Sequence, residues 1–121
     1  MSIKKIMVVD DSPTERQFLQ EILVNKGYQV VTAVGGEEAF AKSKTEMPDL
    51  ILMDVIMPGQ NGFQATRVIT RDDATKHIPV VMLTSKSQET DKVWGMRQGA
   101  RDYITKPVEP TELLAKIAAL G

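Results

Sequence analysis

The chain has 121 residues, with 15 basic against 16 acidic side chains and a net charge of −1. That length suits one domain spanning 1–121, large enough to bury roughly two-thirds of its surface without staples. The absence of Cys excludes a disulfide framework and Cys-ligated zinc, and the lone His77 argues against a His-rich metal site or catalytic His network. The near-neutral charge argues against a nucleic-acid binder, and no apolar run approaches the roughly 20 residues that span a membrane. Lys4-Lys5 could open a signal peptide, but Asp10-Asp11 cuts off the apolar stretch that would follow. The composition therefore predicts a small, soluble, cytoplasmic domain with no membrane insertion, and a monomer is expected.

Short β-branched runs alternate with longer amphipathic segments, the pattern of βαβ units around a parallel sheet. Ile6-Met7-Val8-Val9 is predicted as the first strand, apolar throughout because both faces are covered. A helix follows: Ser12 as N-cap, Pro13 in the first turn, Glu15 completing a capping box, and Gly27 at the end. Its expected apolar stripe is Phe18, Leu19, Ile22 and Leu23. The second strand is Gln29–Ala33, and Gly35-Gly36 opens a helix over about 37–45 carrying Ala39, Phe40 and Ser43. Met47-Pro48-Asp49 breaks that helix before a third apolar strand, Leu50–Met53, which ends on Asp54. Met57-Pro58-Gly59-Gln60-Asn61-Gly62 reads as a loop, followed by a helix from about Gly62 to Arg71 bearing Phe63, Thr66, Val68 and Ile69. Pro79 introduces the fourth strand, Val80–Leu83, which ends at Thr84 and Ser85. Residues 87–98 are predicted helical with a thin apolar face of Val93, Trp94 and Met96, and with Gly95 inside; Trp94 is expected to pack against neighbouring helices. Asp102-Tyr103-Ile104 is a short fifth strand ending before Lys106-Pro107. A last helix over about 110–120 buries Leu113, Leu114, Ile117 and Leu120. Right-handed crossovers place helices on both faces of one sheet.

Polar residues follow four of these strands: Asp10 and Asp11 the first, Asp54 the third, Thr84 the fourth and Lys106 the fifth. Ligands of open α/β sheets bind at the carboxyl ends of the strands, where the strand order reverses. If the first and third strands are neighbours there, all five side chains converge. Three adjacent carboxylates raise one another's pKa, and a divalent cation resolves the repulsion. Hard oxygen ligands without His or Cys select Mg²⁺, with Mn²⁺ able to substitute. A metal, a nucleophilic carboxylate, a hydroxyl and an ammonium together suit phosphoryl transfer through an aspartyl phosphate.

Asp10-Asp11, Asp54 in Leu-Met-Asp-Val-Ile-Met-Pro-Gly, Thr84-Ser85-Lys86 and Tyr103-Ile104-Thr105-Lys106-Pro107 resemble the motifs of CheY-like response regulator receiver domains, in order and across essentially the whole chain. The resemblance implies a flavodoxin-like doubly wound (βα)5 fold with strand order 2-1-3-4-5. It implies that Asp54 is the phosphoacceptor for a histidine kinase of a two-component system, in a protein that is not a conventional enzyme but catalyses its own phosphorylation and dephosphorylation. Asp11, Asp54 and the backbone carbonyl of Ile56 would hold Mg²⁺, with Asp10 acting largely through metal-bound water. Lys106 would pair with the phosphoryl group, and the Lys106-Pro107 bond would be cis. Thr84 would move toward the phosphoryl group and the freed space would admit Tyr103. Ile56 and Lys86 would flank the path of the hydrolytic water, where an apolar Ile56 slows self-dephosphorylation. Residues 88–103 and Asn61–Arg67 are similar to the stand-alone receivers of chemotaxis-like systems that control type IV pili. That narrower likeness implies twitching motility, a CheA-like kinase and a downstream partner in the pilus machinery. No output domain is expected after the fifth helix, so the fourth helix, fifth strand and fifth helix would present the signal.

Simpler readings stand beside these. Asp10 and Asp11 could merely cap the first helix, Lys106 could be a solvated loop charge, and Tyr103 could be a fixed, half-buried aromatic. His77 is expected to be solvated. A phosphate-sink receiver and a phosphate-independent docking scaffold are the alternative functions. A haloacid-dehalogenase-like phosphatase would want its two acids two residues apart, whereas here they are adjacent. A nucleotide-binding fold would want a Gly-rich first turn.

Overall fold

The computed structural model describes residues 3–55, 61–85 and 89–121, with the backbone alone for Ser85 and residues 89–92. Strands and helices alternate as β1 (Lys5–Val9), α1 (Pro13–Asn25), β2 (Gln29–Ala33), α2 (Gly36–Glu46) and β3 (Leu50–Asp54). They continue as α3 (Gly62–Arg71), β4 (Val80–Ser85), α4 (Glu89–Arg97), β5 (Asp102–Lys106) and α5 (Pro110–Leu120). The five strands are parallel in the order β2-β1-β3-β4-β5, so the order reverses between β1 and β3.

Continuous apolar strands are explained by a sheet covered twice. Met7, Val9, Ile51, Met53, Val80 and Met82 face a layer that contains Ala39 of α2 and Ala65 and Ile69 of α3. Their neighbours Ile6, Val8, Leu50, Leu52, Leu83 and Ile104 face Leu19 and Leu23 of α1 and Leu113 and Ile117 of α5. Each fully buried Leu or Ile contributes about 1.5–3 kcal/mol of transfer free energy, so neither face of the sheet tolerates a charge. No described helix is long and apolar enough to cross a membrane.

Local signals set the helix ends. The Glu15 amide donates to Ser12 Oγ at 3.3 Å, which confirms Ser12 as the cap of α1. The expected reciprocal half of that capping box does not form. The Ser12 amide donates instead to Asp10 Oδ1 at 2.9 Å, so the first acid of the chain has displaced Glu15. A complete capping box is found on α3, between Asn61 and Gln64.

Several expectations need correction. Phe18 is 42% exposed rather than part of the buried stripe, because Leu19, Leu23 and the partly buried Ile22 occupy the inward face of α1. Val68 also faces outward, and Ala65 takes the buried place on α3. Val93, Trp94 and Met96 are all exposed, Trp94 to 51%, with Arg97 stacked 6.0 Å from its ring centroid. The residue α4 turns to the sheet is Gly95, where an added Cβ would lie 3.1 Å from Met82. Strand β5 runs on to Lys106, because Thr105 and Lys106 continue the ladder with Thr84 and Ser85.

Candidate functional site

Side chains alternate across a strand, and that period of two fixes the rim of the sheet. Asp10, Asp54 and Lys106 lie two residues beyond Val8, Leu52 and Ile104, all of which face α1 and α5. The three charged groups therefore share that side at the carboxyl ends of β1, β3 and β5. Thr84 lies two residues beyond Met82 and so belongs to the opposite face, the one that also carries Tyr103.

Asp10 is 1% exposed and Asp54 is 5% exposed, while Asp11 stands in solvent beside them. One carboxylate oxygen from each of the three lies within 4.8 Å of the others. Lys106 Nζ donates to Asp54 Oδ1 at 2.8 Å and stands 3.5 Å from Asp10 Oδ2. Asp10 Oδ1 is occupied by the Ser12 amide, and the Asp10 carbonyl accepts from Arg16 Nη1 at 2.8 Å. Asp10 Oδ2 is buried and accepts no hydrogen bond, and neither does the buried Thr84 Oγ1 have a partner. Buried polar atoms without partners are uncommon, and two on one rim mark a place built for something else to bind.

The electrostatics agree. Burial pushes the Asp54 carboxyl above its ordinary pKa; the hydrogen bond from Lys106 opposes this, and the charge of Asp10 adds to it. Burial would depress Lys106, but the hydrogen bond and charge of Asp54 outweigh that, and its pKa rises. One ammonium does not neutralise the acids. An all-oxygen donor set with an unsatisfied buried oxygen fits a hard divalent cation.

Tyr103 is partly buried on the α2–α3 side of the sheet, with Lys116 Nζ 5.4 Å from its ring centroid. The Lys106-Pro107 bond is cis, as the resemblance implied. Ile56 and Lys86 lie outside the described residues, as does most of the 57–62 loop. His77 is exposed and away from the acids.

Sequence reasoning missed the part played by Gly62. Its amide donates to the Val55 carbonyl at 2.9 Å, and an added Cβ would lie 2.1 Å from the Asp54 carbonyl oxygen. The Asn61-Gly62 pair marked a turn, but nothing local shows that the start of α3 rests on the backbone of Asp54.

Residues 6–118 match the profile of the response regulator receiver domain. The chain is 54% identical over 116 residues to protein PilH of Pseudomonas aeruginosa, covering 96% of each. It superposes on chemotaxis protein CheY4 of Vibrio cholerae with a TM-score of 0.91 and 33% identity, covering 99% of this chain and 100% of the other. The receiver domain of sensor histidine kinase PA1611 from Pseudomonas aeruginosa, solved with a magnesium ion coordinated in its active-site cleft, aligns with a TM-score of 0.87 and 28% identity, covering 96% and 95%. The chain spans about half the length of the transcriptional regulatory proteins it also matches. Sequence, strand order and the acidic rim thus agree, and the chain belongs to the response regulator receiver domain family.

Proposed function

We propose that this chain is a single-domain response regulator in which Asp54 accepts a phosphoryl group from the phosphohistidine of a histidine kinase. The observation that carries this reading is the buried Asp54 carboxylate, held by Lys106 at 2.8 Å beside two further acids on one rim. An Asp54 carboxylate oxygen forms the new bond to phosphorus as the N–P bond of the donor breaks, and the imidazole leaves with a proton. Asp11 and Asp54, with the Ile56 carbonyl, would hold Mg²⁺, or Mn²⁺ in its place, and Asp10 would act largely through metal-bound water. When bound, such an ion would offset charge on the phosphoryl oxygens. Lys106 transfers from the carboxylate to the phosphoryl group as a second cation, and the Thr84 hydroxyl gains there the partner it lacks.

Thr84 and Tyr103 share one face of the sheet, which links the rim to the surface formed by α4, β5 and α5. That surface already presents Val93, Trp94 and Met96. The likeness of residues 88–103 to stand-alone pilus receivers and the identity with PilH support a role in type IV pilus motility, with a CheA-like kinase upstream, pilus machinery downstream, and action in the cytoplasm. The test is incubation with acetyl phosphate and Mg²⁺, comparing the wild type with Asp54→Ala by intact mass. A phosphoryl adduct on the wild type alone is expected. An adduct that persists in Asp54→Ala overturns the assignment, and none on either protein favours a phosphate-independent docking scaffold.

A further inference from the structure

A second polar cleft opens at the other end of the sheet. It has a volume of about 340 Å³ and is lined by Thr70, Arg71, Lys76, His77, Arg97 and Arg101, among others. It lies where α3 and α4 end and β4 and β5 begin, so the strands separate it from Asp54 and Lys106 at their carboxyl ends. Two contacts set its shape. Thr70 Oγ1 stands 2.8 Å from both the Thr66 and the Gln98 carbonyl oxygens, tying α3 to the end of α4. The Arg101 amide donates to the Val80 carbonyl at 2.7 Å, fixing the guanidinium-bearing turn to the first residue of β4.

The charge of this cleft is one-sided. No carboxylate is among its described lining residues, and Arg71, Arg97 and Arg101 make no ion pair with a described carboxylate. Only Lys76 is offset, by Asp73 at 3.1 Å in solvent. The ends of α3 and α4 account for some of this, since a helix C-terminus carries about half a unit of negative charge that last-turn Arg71 and Arg97 complement. Two such ends, together about one negative unit, offset only part of the four permanent cations. Like charges gathered without acids repel one another, and an anion relieves that repulsion. Guanidinium forks recognise phosphate oxygens two at a time. Apart from His77 no aromatic side chain is among its described lining residues, which favours a compact anion over a nucleotide.

We propose that this cleft binds a compact polyanion of the phosphate class, of the size of pyrophosphate, and that its occupant bridges α3 to α4 through Arg71, Arg97 and Arg101. The experiment titrates pyrophosphate into the full chain in metal-free buffer at constant ionic strength, following heat and backbone amide shifts. Saturable one-to-one binding is expected, with a dissociation constant at or below about 1 mM. Shifts should centre on residues 70–71, 76–78 and 97–101. The double variant Arg71→Gln/Arg101→Gln should bind at least about tenfold more weakly. Lys42→Gln, a cation on α2 outside the cleft, should bind as the wild type does. If the double variant fails to give a native spectrum, Arg97→Gln serves the same purpose. Labelling of Asp54 by acetyl phosphate should be unchanged in the arginine variants, because none of the three arginines touches the acidic rim. No saturable binding, equal affinity in the arginine variants, or shifts centred on residues 10–12 and 104–106 would each overturn the proposal. ADP binding tenfold more tightly than pyrophosphate would overturn the compact anion in favour of a nucleotide.

Discussion

Replacing Gly62 by Ala puts a methyl group against the backbone that presents Asp54. The new Cβ would lie 2.1 Å from the Asp54 carbonyl oxygen and 2.9 Å from both Asp54 C and Val55 Cα, where ordinary contact begins at 3.4 Å. All three obstacles are main chain, so no rotamer change relieves the clash, and either α3 or the end of β3 must move. Overpacking of this kind costs about 1–3 kcal/mol. The lower entropy of the unfolded Ala chain returns about 0.4–1 kcal/mol. With a rigid obstacle the cost falls toward the upper end, which leaves a net loss of about 2 kcal/mol. At about 2.1 cal/mol/K of unfolding entropy per residue, that loss lowers the Tm by roughly 8 °C. Circular dichroism melts without metal measure this, with Gly35→Ala as the control. Nothing lies within 4 Å of an added Cβ at Gly35, although that residue also starts a helix. Its melt should stay within about 2 °C of the wild type. Because the displaced backbone belongs to Asp54, phosphoryl labelling should fall in Gly62→Ala beyond what the melt accounts for at the assay temperature. A Gly62→Ala protein that melts within about 2 °C of the wild type refutes the reasoning.

Two other substitutions probe the charges. Lys106→Met removes the ammonium from Asp54 and Asp10, and in EDTA near neutral pH it should cost about 1–3 kcal/mol. The Lys106 hydrogen bond opposes the upward pKa shift of Asp54, so without it Asp54 takes up a proton at higher pH, and the stability deficit should shrink as pH falls. A deficit that stays constant on acidification would show that Lys106 acts through packing alone. Asp49 Oδ2 accepts from the Lys4 and Lys5 amides at 2.9 and 3.0 Å, and the Lys5 bond above all lowers its pKa from the ordinary 3.8. The stability it contributes is therefore present above pH 3.8 and lost as pH falls from there through the depressed folded value. Asp49→Asn should melt below the wild type at neutral pH, and the two melting curves should converge on acidification; parallel curves throughout would sink the idea.

Much of this was legible because both faces of the sheet are covered. Val8-Val9 and Leu50–Met53 are apolar at every position, so the strands are unmistakable in a linear reading and the polar residues that end them stand out. Asp54 and Lys106 were found that way. Side-chain direction on helices was less legible. Phe18, Val93 and Trp94 are large and apolar yet exposed, because α1 fills its contact with Leu19 and Leu23 and α4 approaches the sheet through a glycine. Composition cannot tell an apolar residue awaiting a partner from one already packed. The capping box of α1 failed for a related reason. Asp10 competes for the Ser12 amide, and that competition depends on where β1 stops. The basic cleft was illegible altogether, since Arg71, Lys76, Arg97 and Arg101 are scattered over 31 positions (71 to 101) and the fold alone gathers them.

The rim is drawn from residues 10, 11, 54 and 106, and the contact between Asp54 and Lys106 spans 52 positions. No fragment of the chain carries it. A molecule lacking β5 keeps all three aspartates but loses the ammonium between them, and one lacking β1 keeps only Asp54 and Lys106. On the proposed reading, competence for phosphoryl transfer would arise only when the last strand has docked, and a partly unfolded chain would be silent. The arrangement would then double as an inspection of the molecule's own integrity: a kinase charging the proposed site would spend its phosphate on finished copies.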